Sequence, residues 1–285
     1  MGPKAVIIKG GHLKEKDAVD LLYFEGISRT FSSPRLDVRT THGTGCSFSA
    51  AIAAGLAKKM EISAAVEKAK QIVTLSIRFG LNIGKGYGPI NPMACLYRES
   101  SRYDVLTNLR MAKTLMESVP EVAMLVPEVG MNIAMAIPYA ESVDDVAAIE
   151  GRIVKTSDGI KTVGDAKFGS SSHLAKYILE IIKHNELKRA AVNLRFSDDI
   201  LGILKKRGMT ISFYDRKTEP EKIKKVEGMT IPWGITEAIK RVGKTPDTVY
   251  HRGDIGKEPM IVIFGEQAFD LAKLIVQLAK GIKRK

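Results

Sequence analysis

Thr41-His42-Gly43-Thr44-Gly45-Cys46 stands directly before an alanine-rich run from Ser47 to Met60. Alanine is the best helix former, so the run predicts a helix. Glycines let the backbone approach a ligand and take φ > 0. The first N–H groups of a helix are unpaired, and with the helix dipole they bind an anion. A thiol at a helix start is stabilised as thiolate, so Cys46 is expected to have a lowered pKa. Such a group can take a proton from an attacking hydroxyl during phosphoryl transfer. The same spacing also fits a small buried cysteine packed against Ala50.

A second group lies further along. It comprises Val126-Pro127-Glu128-Val129-Gly130-Met131-Asn132, Glu150-Gly151-Arg152-Ile153, Phe168-Gly169-Ser170-Ser171-Ser172-His173, Tyr214-Asp215-Arg216 with Glu219-Pro220, and Gly253-Asp254-Ile255-Gly256-Lys257-Glu258-Pro259. Gly169 to Ser172 form a loop before a helix, and the amides and hydroxyls of Ser170, Ser171 and Ser172 suit a phosphate. His173 opens that helix, where the positive dipole end lowers an imidazole pKa. The Arg152 fork matches phosphate oxygens. Gly253, Gly256 and Lys257 make another anion loop. Each also has a plainer role: a helix cap for the serines, a surface position for His173, a salt-bridge partner for Arg152, a simple turn for the glycines. His184 and His251 show no metal-ligand spacing with His173.

These residues need elements to place them. At 285 residues, with about 150 per domain as a guide, two domains are expected. A hydrophobic content of 45% against 27% charged excludes disordered and fibrous classes. No apolar run reaches the length of a membrane span and no signal peptide opens the chain. Cys46 and Cys95, the two cysteines, cannot build a disulfide framework, which fits a reducing cytoplasm. The net charge of +12 is split evenly, +6 in residues 1–105 and +6 in 106–285. The one basic cluster, Lys280, Lys283, Arg284 and Lys285, reads as a solvated helix end. Small phosphorylated ligands are therefore expected rather than nucleic acid.

Strands are expected at 5–8 (buried), 21–24 and 26–31 (a hairpin), 36–39, 123–126 and 131–137. Further strands are expected at 152–156 and 160–163 (a hairpin), 190–194, 210–214, 248–250 and 260–264. Helices are expected at 47–60, 63–79, 105–118, 142–149, 174–183, 198–207, 220–226, 233–242 and 266–282. Strands alternating with helices make the chain α/β.

Val6-Ile7-Ile8-Lys9-Gly10-Gly11-His12, the Thr41–Ala53 segment and Gly84-Lys85-Gly86-Tyr87-Gly88-Pro89 together resemble the hydroxymethylpyrimidine and hydroxymethylpyrimidine-phosphate kinases of the ribokinase-like superfamily. The three motifs keep the family's order over residues 1–92. The cysteine is specific, because most sugar kinases of the superfamily place aspartate there. The resemblance implies ATP as phosphoryl donor and Cys46 as catalytic base. It also implies an anion hole at Gly43, Thr44 and Gly45, with Lys9 near the nucleotide phosphates. The chain opens inside this resemblance, without the pyrimidine-binding half with which such kinases begin. An incomplete, inactive kinase part with an exposed apolar sheet edge is therefore expected.

Residues 106–282, with every motif of the second group, resemble the archaeal-type (ThiN-type) thiamine-phosphate synthase domain, found fused behind the pyrimidine kinase. The fold this implies is an α/β/α AraD-like domain with a mixed, largely antiparallel sheet. It follows the C-terminal part of a ribokinase-like α/β fold, with the division at 1–105 and 106–285. The implied reaction joins hydroxymethylpyrimidine diphosphate to hydroxyethylthiazole phosphate, giving thiamine phosphate and pyrophosphate. The family's essential arginine and histidine match Arg152 and His173, with Ser170–Ser172 and Lys257 holding phosphate and Mg²⁺ accompanying the diphosphate. Small phosphorylated substrates, no nucleic acid, no membrane and a homo-oligomer are expected. A related domain senses thiamine phosphates in archaeal regulators but lacks the arginine and histidine. In a third reading, residues 1–92 are a non-catalytic scaffold.

Overall fold

A computed structural model describes residues 2–11, 15–226, 228–254 and 256–282. His12, Ile255 and the basic tail at Lys283, Arg284 and Lys285 lie outside them. The chain divides into two compact units, Met1–Glu99 and Ser100–Lys285.

In the first unit, β1 (Ala5–Ile8), β2 (Asp17–Phe24) and β3 (Ile27–Pro34) form an antiparallel sheet in that order. Glu25 and Gly26, at φ 52° and 80°, close the β2–β3 hairpin with the left-handed pair that matches strand twist. Helix α1 (Thr44–Ala57) packs on α2 (Ile62–Arg78). A Cβ on Gly55 would lie 3.0 Å from the Ala65 Cβ, so the small residue sets how closely the helices approach. Leu22, Phe48, Val66, Ala69 and Val73 make the core. The expectation of a buried strand at 5–8 is corrected: Ala5 and Ile7 pack inward, but Val6 and Ile8 are 41% and 62% exposed. The expected strand at Leu36–Arg39 is absent. Pro34 already pairs with Asp17, the first residue of β2, so the ladder has no partner left.

Helix α3 (Ala94–Glu117) begins well before the expected Val105. No proline or glycine separates Ala94 from Ser118, so Ser101–Asp104 are helix interior rather than a cap.

The second unit is α/β with a mixed, largely antiparallel sheet, as expected. Its strands are β4 (Ile133–Ala136), β5 (Val146–Ile149), β8 (Ala166–Phe168), β9 (Ala190–Arg195), β10 (Ile211–Phe213), β11 (Thr248–His251) and β12 (Met260–Gly265). A separate hairpin joins β6 (Ile153–Thr156) to β7 (Gly159–Thr162). The sheet order is β10-β11-β12-β9-β4-β5-β8, and only the β10/β11 pair is parallel. Strands β4, β5, β9 and β12 are buried on both faces, so helices must cover each face. The helices are α4 (Ser172–Ile181), α5 (Asp198–Lys206), α6 (Glu221–Lys224), α7 (Thr230–Val242) and α8 (Ala268–Gly281). Helix α4 packs on α7, β4 and β9, and α8 packs on β9 and β12.

Two expectations fail here. Residues 123–125 lie in a 3₁₀ turn, Pro120–Leu125, with Val126 its extended C-cap and Val122 and Leu125 buried at its three-residue spacing. The expected helix at 142–149 is a 3₁₀ turn, Val143–Asp145, followed by β5. Asp145 closes a capping box with Ser142, and the apolar run Val146–Ile149 then extends.

Candidate active site

One cavity of the second unit has a volume of about 320 Å³. Val129, Gly130, Arg152, Ser171, His173, Arg216, His251, Gly256, Lys257 and Glu258 are among its walls. Its positions come from six segments spread over 130 residues of chain, brought together where strands β4, β9, β11 and β12 end.

Two buried asparagines fix the floor. The Asn132 side chain accepts from the Ile133 and Ile149 N–H groups at 2.8 and 3.0 Å and donates to the Ile149 carbonyl at 2.8 Å. Asn193 accepts from the Asn132 N–H at 2.7 Å and donates to the Gly130 carbonyl at 3.1 Å. These bonds stitch β4, β5 and β9 where the regular ladder stops, and they satisfy groups whose burial would otherwise be costly.

Arg152 sits at φ 74°, directly after Gly151 at φ 71°. Two successive left-handed residues turn the chain sharply into β6. A left-handed arginine is strained by about 1 kcal/mol or more. Its stem crosses Gly130, where a Cβ would meet the Arg152 Cδ at 3.2 Å. Its guanidinium donates to the Val129 carbonyl. The Glu258 carboxylate holds that same loop, accepting from the Glu128 and Val129 N–H groups at 2.8 and 3.2 Å.

Ser171 caps α4 by accepting from the Leu174 N–H at 3.4 Å, and it also lines the cavity. Ser172 is the first helical residue and Ser170 precedes the cap; neither lines the cavity. The Ser170 Oγ is buried with no partner among the described residues. His173 follows on the first turn, its ring edge-on to Tyr177 at 5.2 Å. Its pKa is lowered to about 4, by desolvation first and then by Arg152, Arg216, Lys176 and Lys257. The residue is nevertheless exposed at the cavity. Water therefore offsets part of the desolvation, and the four cations are the more durable cause of a neutral imidazole. The helix-start effect expected from sequence acts in the same direction.

In the turn Gly253–Lys257, Lys257 donates its N–H to the Asp254 carbonyl at 2.8 Å. A Cβ on Gly253 would lie 2.4 Å from the Lys257 carbonyl oxygen, so only glycine fits. Gly256 and Lys257 reach the cavity, and Gly253 does not line it.

Sequence reasoning gave no site role to Arg216 or His251, nor to Asn132, Asn193 and Glu258. Arg216 was visible only as part of a motif, and His251 only as a histidine without metal spacing. Arg216 follows Tyr214, whose hydroxyl meets that of Tyr177 at 2.7 Å in the core. Burial pushes the Tyr177 phenol up to about 12 and raises that of Tyr214 well above its ordinary value, so both stay protonated. Three cations (Arg152, Arg216 and Lys257) thus face one cavity, and the one carboxylate among its lining residues is already occupied by backbone donors. This geometry accepts anions.

The first unit holds its own cavity, of about 750 Å³, lined among others by Lys9, Thr41, Gly43, Thr44 and Gly45. Gly43, at φ 89°, is the N-cap of α1, so Thr44, Gly45 and Cys46 form its first turn rather than a loop before it. A Cβ on Gly45 would lie 4.0 Å from the Lys9 Nζ, which places the lysine beside the helix start. Asp20 accepts from the Gly10 N–H at 3.0 Å and pairs with Lys70 at 2.9 Å, fixing the chain that carries Lys9. The segment ending at Pro89 is tied to this turn by His42, which donates its N–H to the Gly88 carbonyl at 3.1 Å. Cys46 is exposed and is not among the lining residues.

Known proteins share both halves of this arrangement. A profile described as thiamine-phosphate synthase ThiN matches residues 108–277, and one described as phosphomethylpyrimidine kinase matches residues 1–91. The bifunctional thiamine biosynthesis protein ThiDN of Methanocaldococcus jannaschii is 36% identical over 253 residues, 88% of this chain and 57% of that relative. The chain therefore spans little more than half the length of that protein. The thiamine-phosphate synthase ThiN of Methanothermobacter thermautotrophicus is 36% identical over 178 residues, 62% of this chain and 94% of that one. The solved structure of the C-terminal domain of a phosphomethylpyrimidine kinase aligns with a TM-score of 0.59 at 43% identity, covering 62% of this chain and 99% of that chain. The cationic cavity thus lies within a match that takes in more than half of the sequence, and the chain belongs to the thiamine-phosphate synthase ThiN family.

Proposed function

We propose that the second unit makes thiamine phosphate, and that its cationic cavity is where hydroxymethylpyrimidine diphosphate meets hydroxyethylthiazole phosphate. The observation that carries this reading is the convergence of Arg152, Arg216 and Lys257 with a neutral His173 on one small cavity. The C–O bond between the pyrimidine methylene and the diphosphate breaks heterolytically. The diphosphate takes the electron pair, and the thiazole nitrogen attacks the resulting cation. The protein must stabilise charge growing on the leaving group and align two anionic substrates. Arg152 grips a phosphate through its fork. His173, neutral at pH 7, contributes a hydrogen bond rather than a proton. Lys257, Gly256 and the Ser171 hydroxyl complete the cradle, with Ser170, Ser172 and Gly253 shaping the loops that carry it.

Among the described residues, no group of three or more His, Cys, Asp or Glu is placed to hold a metal ion. Mg²⁺ accompanying the diphosphate would be held mainly by its phosphate oxygens and water, which needs no such cluster. For residues 1–99 we infer the nucleotide side of a phosphomethylpyrimidine kinase, with ATP phosphates against Lys9 and the Gly43–Gly45 turn and Cys46 as the proton acceptor. The Lys9 and Gly45 proximity supports this part.

The test is turnover and melting measured together on Arg152→Ala and His173→Ala. Each is expected to lower thiamine-phosphate formation at least 100-fold, on the scale of one lost transition-state contact, with the melting temperature nearly unchanged. Near-normal turnover in either variant would remove the assignment.

A further inference from the structure

His251 lines the cavity and has no part in the mechanism above. His251 ends β11 and is 4% exposed. Its Nδ1 accepts a hydrogen bond from the Gly253 N–H at 3.2 Å. A ring nitrogen that accepts carries no proton, so the neutral imidazole holds its hydrogen on Nε2. The Nε2 has no protein partner among the described residues, nor is it sealed away as a buried unpaired atom. His251 is itself one of the residues lining the cavity. The ring is held against Tyr214, with centroids 5.2 Å apart, and Tyr214 is locked to Tyr177, whose ring in turn supports His173. Burial first, then Arg216 and His173, lowers the His251 pKa to about 4. Arg216, which lines the same cavity, carries a buried Nε without a partner among the described residues.

We propose that His251 is a second ligand-contacting imidazole of this site, donating its Nε2–H to an oxygen of the bound diphosphate or phosphate, with its tautomer set by the Gly253 amide. The proposal rests on reading the cavity as the anion site of the synthase. A donor that is buried, fixed in tautomer and uncharged suits an oxygen that gains charge as the leaving group departs. It adds no fixed positive charge that would hold the product pyrophosphate afterwards.

The probe is inorganic pyrophosphate, titrated calorimetrically into the full chain and its His251→Ala and His251→Gln variants. Glutamine keeps an N–H donor at about the reach of Nε2. Alanine is expected to weaken binding about 10- to 100-fold, the range for a hydrogen bond to a charged group, and glutamine to restore most of it. Histidine ¹⁵N spectra of the unsubstituted chain at pH 7 are expected to show the Nε2–H tautomer at His251. Equal affinity in the alanine variant overturns the proposal, as does an Nδ1–H tautomer or an imidazolium. A parent chain that does not bind pyrophosphate sinks the synthase reading and this inference together. A parent that binds and an alanine variant that binds equally sink this inference alone.

Discussion

Arg152 keeps a strained backbone that glycine would adopt freely, and it uses the resulting direction to lay its side chain across Gly130. Strain and packing make separable predictions. Arg152→Gly relieves the left-handed strain, so its melting temperature is expected to stay within a few degrees of the parent or to rise, while thiamine-phosphate formation is lost. Arg152→Lys keeps the charge but not the fork and is expected to lose about tenfold or more in turnover. A glycine variant that melts much earlier would mark Arg152 as a structural residue. The two histidines give a pH signature. The folded pKa of His251 lies near 4, below the unfolded value of 6.5. Between those values the unfolded chain binds a proton that the folded chain refuses. Stability is therefore full above about pH 6.5, falls as the pH drops toward 4, and levels below it. For buried His251 the loss is on the order of 3 kcal/mol. His173 acts in the same direction, reduced by the water that reaches it. Denaturant melts of His251→Gln are expected to show a shallower decline from pH 7 to pH 4; an unchanged decline would refute the assignment.

Helix α4 and the segment after β10 meet through the Tyr177–Tyr214 hydroxyl pair. Either Tyr→Phe change leaves one buried hydroxyl without its partner and is expected to cost about 1–3 kcal/mol. The double change is expected to cost less than the sum, because no orphan remains. Additive losses in a double-mutant cycle would show that the pair is not coupled. Gly234 of α7 faces the same ring, and a Cβ there would lie 2.8 Å from Tyr214 carbon atoms. At this scale much was legible from sequence. The Ser157-Asp158-Gly159 hairpin, α4, α5, α7 and α8 follow from periodicity and turn residues. What misled was the short apolar run. Ala123–Val126 and Val146–Ile149 are each four residues long, too short for periodicity to separate strand from 3₁₀ turn or helix. The three-residue strand β8, Ala166–Phe168, was missed for the same reason. The candidate site was half legible. Arg152, His173 and Lys257 stand in motifs with glycine or serine neighbours. Arg216 and His251 have no such neighbours that declare a role. They reach the cavity only because β10 and β11 lie side by side, and strand order is not written in a local pattern.

The whole chain carries +12, and the cavity concentrates part of that excess on three side chains. Pyrophosphate binding is expected to weaken several-fold between about 50 and 500 mM salt, because exposed charges are screened within a few ångströms at the higher value. Salt-independent binding would place the anion elsewhere. Among the described residues no helix is long and apolar enough to cross a membrane. The order of the large sheet has a different kind of consequence. Strand β12, the last in sequence, occupies neither edge; it lies between β9 and β11 and pairs with both. During synthesis, β9 and β11 leave the ribosome before the strand that lies between them exists, whereas β4, β5 and β8 already have their neighbours. β9 and β11 must wait, with one ladder edge each unpaired, until residues 260–265 emerge. A nascent chain arrested at residue 255 would hold the site residues from Val129 to His251, without Gly256, Lys257 and Glu258, on a sheet still split into β10-β11 and β9-β4-β5-β8. Its protease resistance would then appear in one step, once Met260–Gly265 have cleared the exit tunnel.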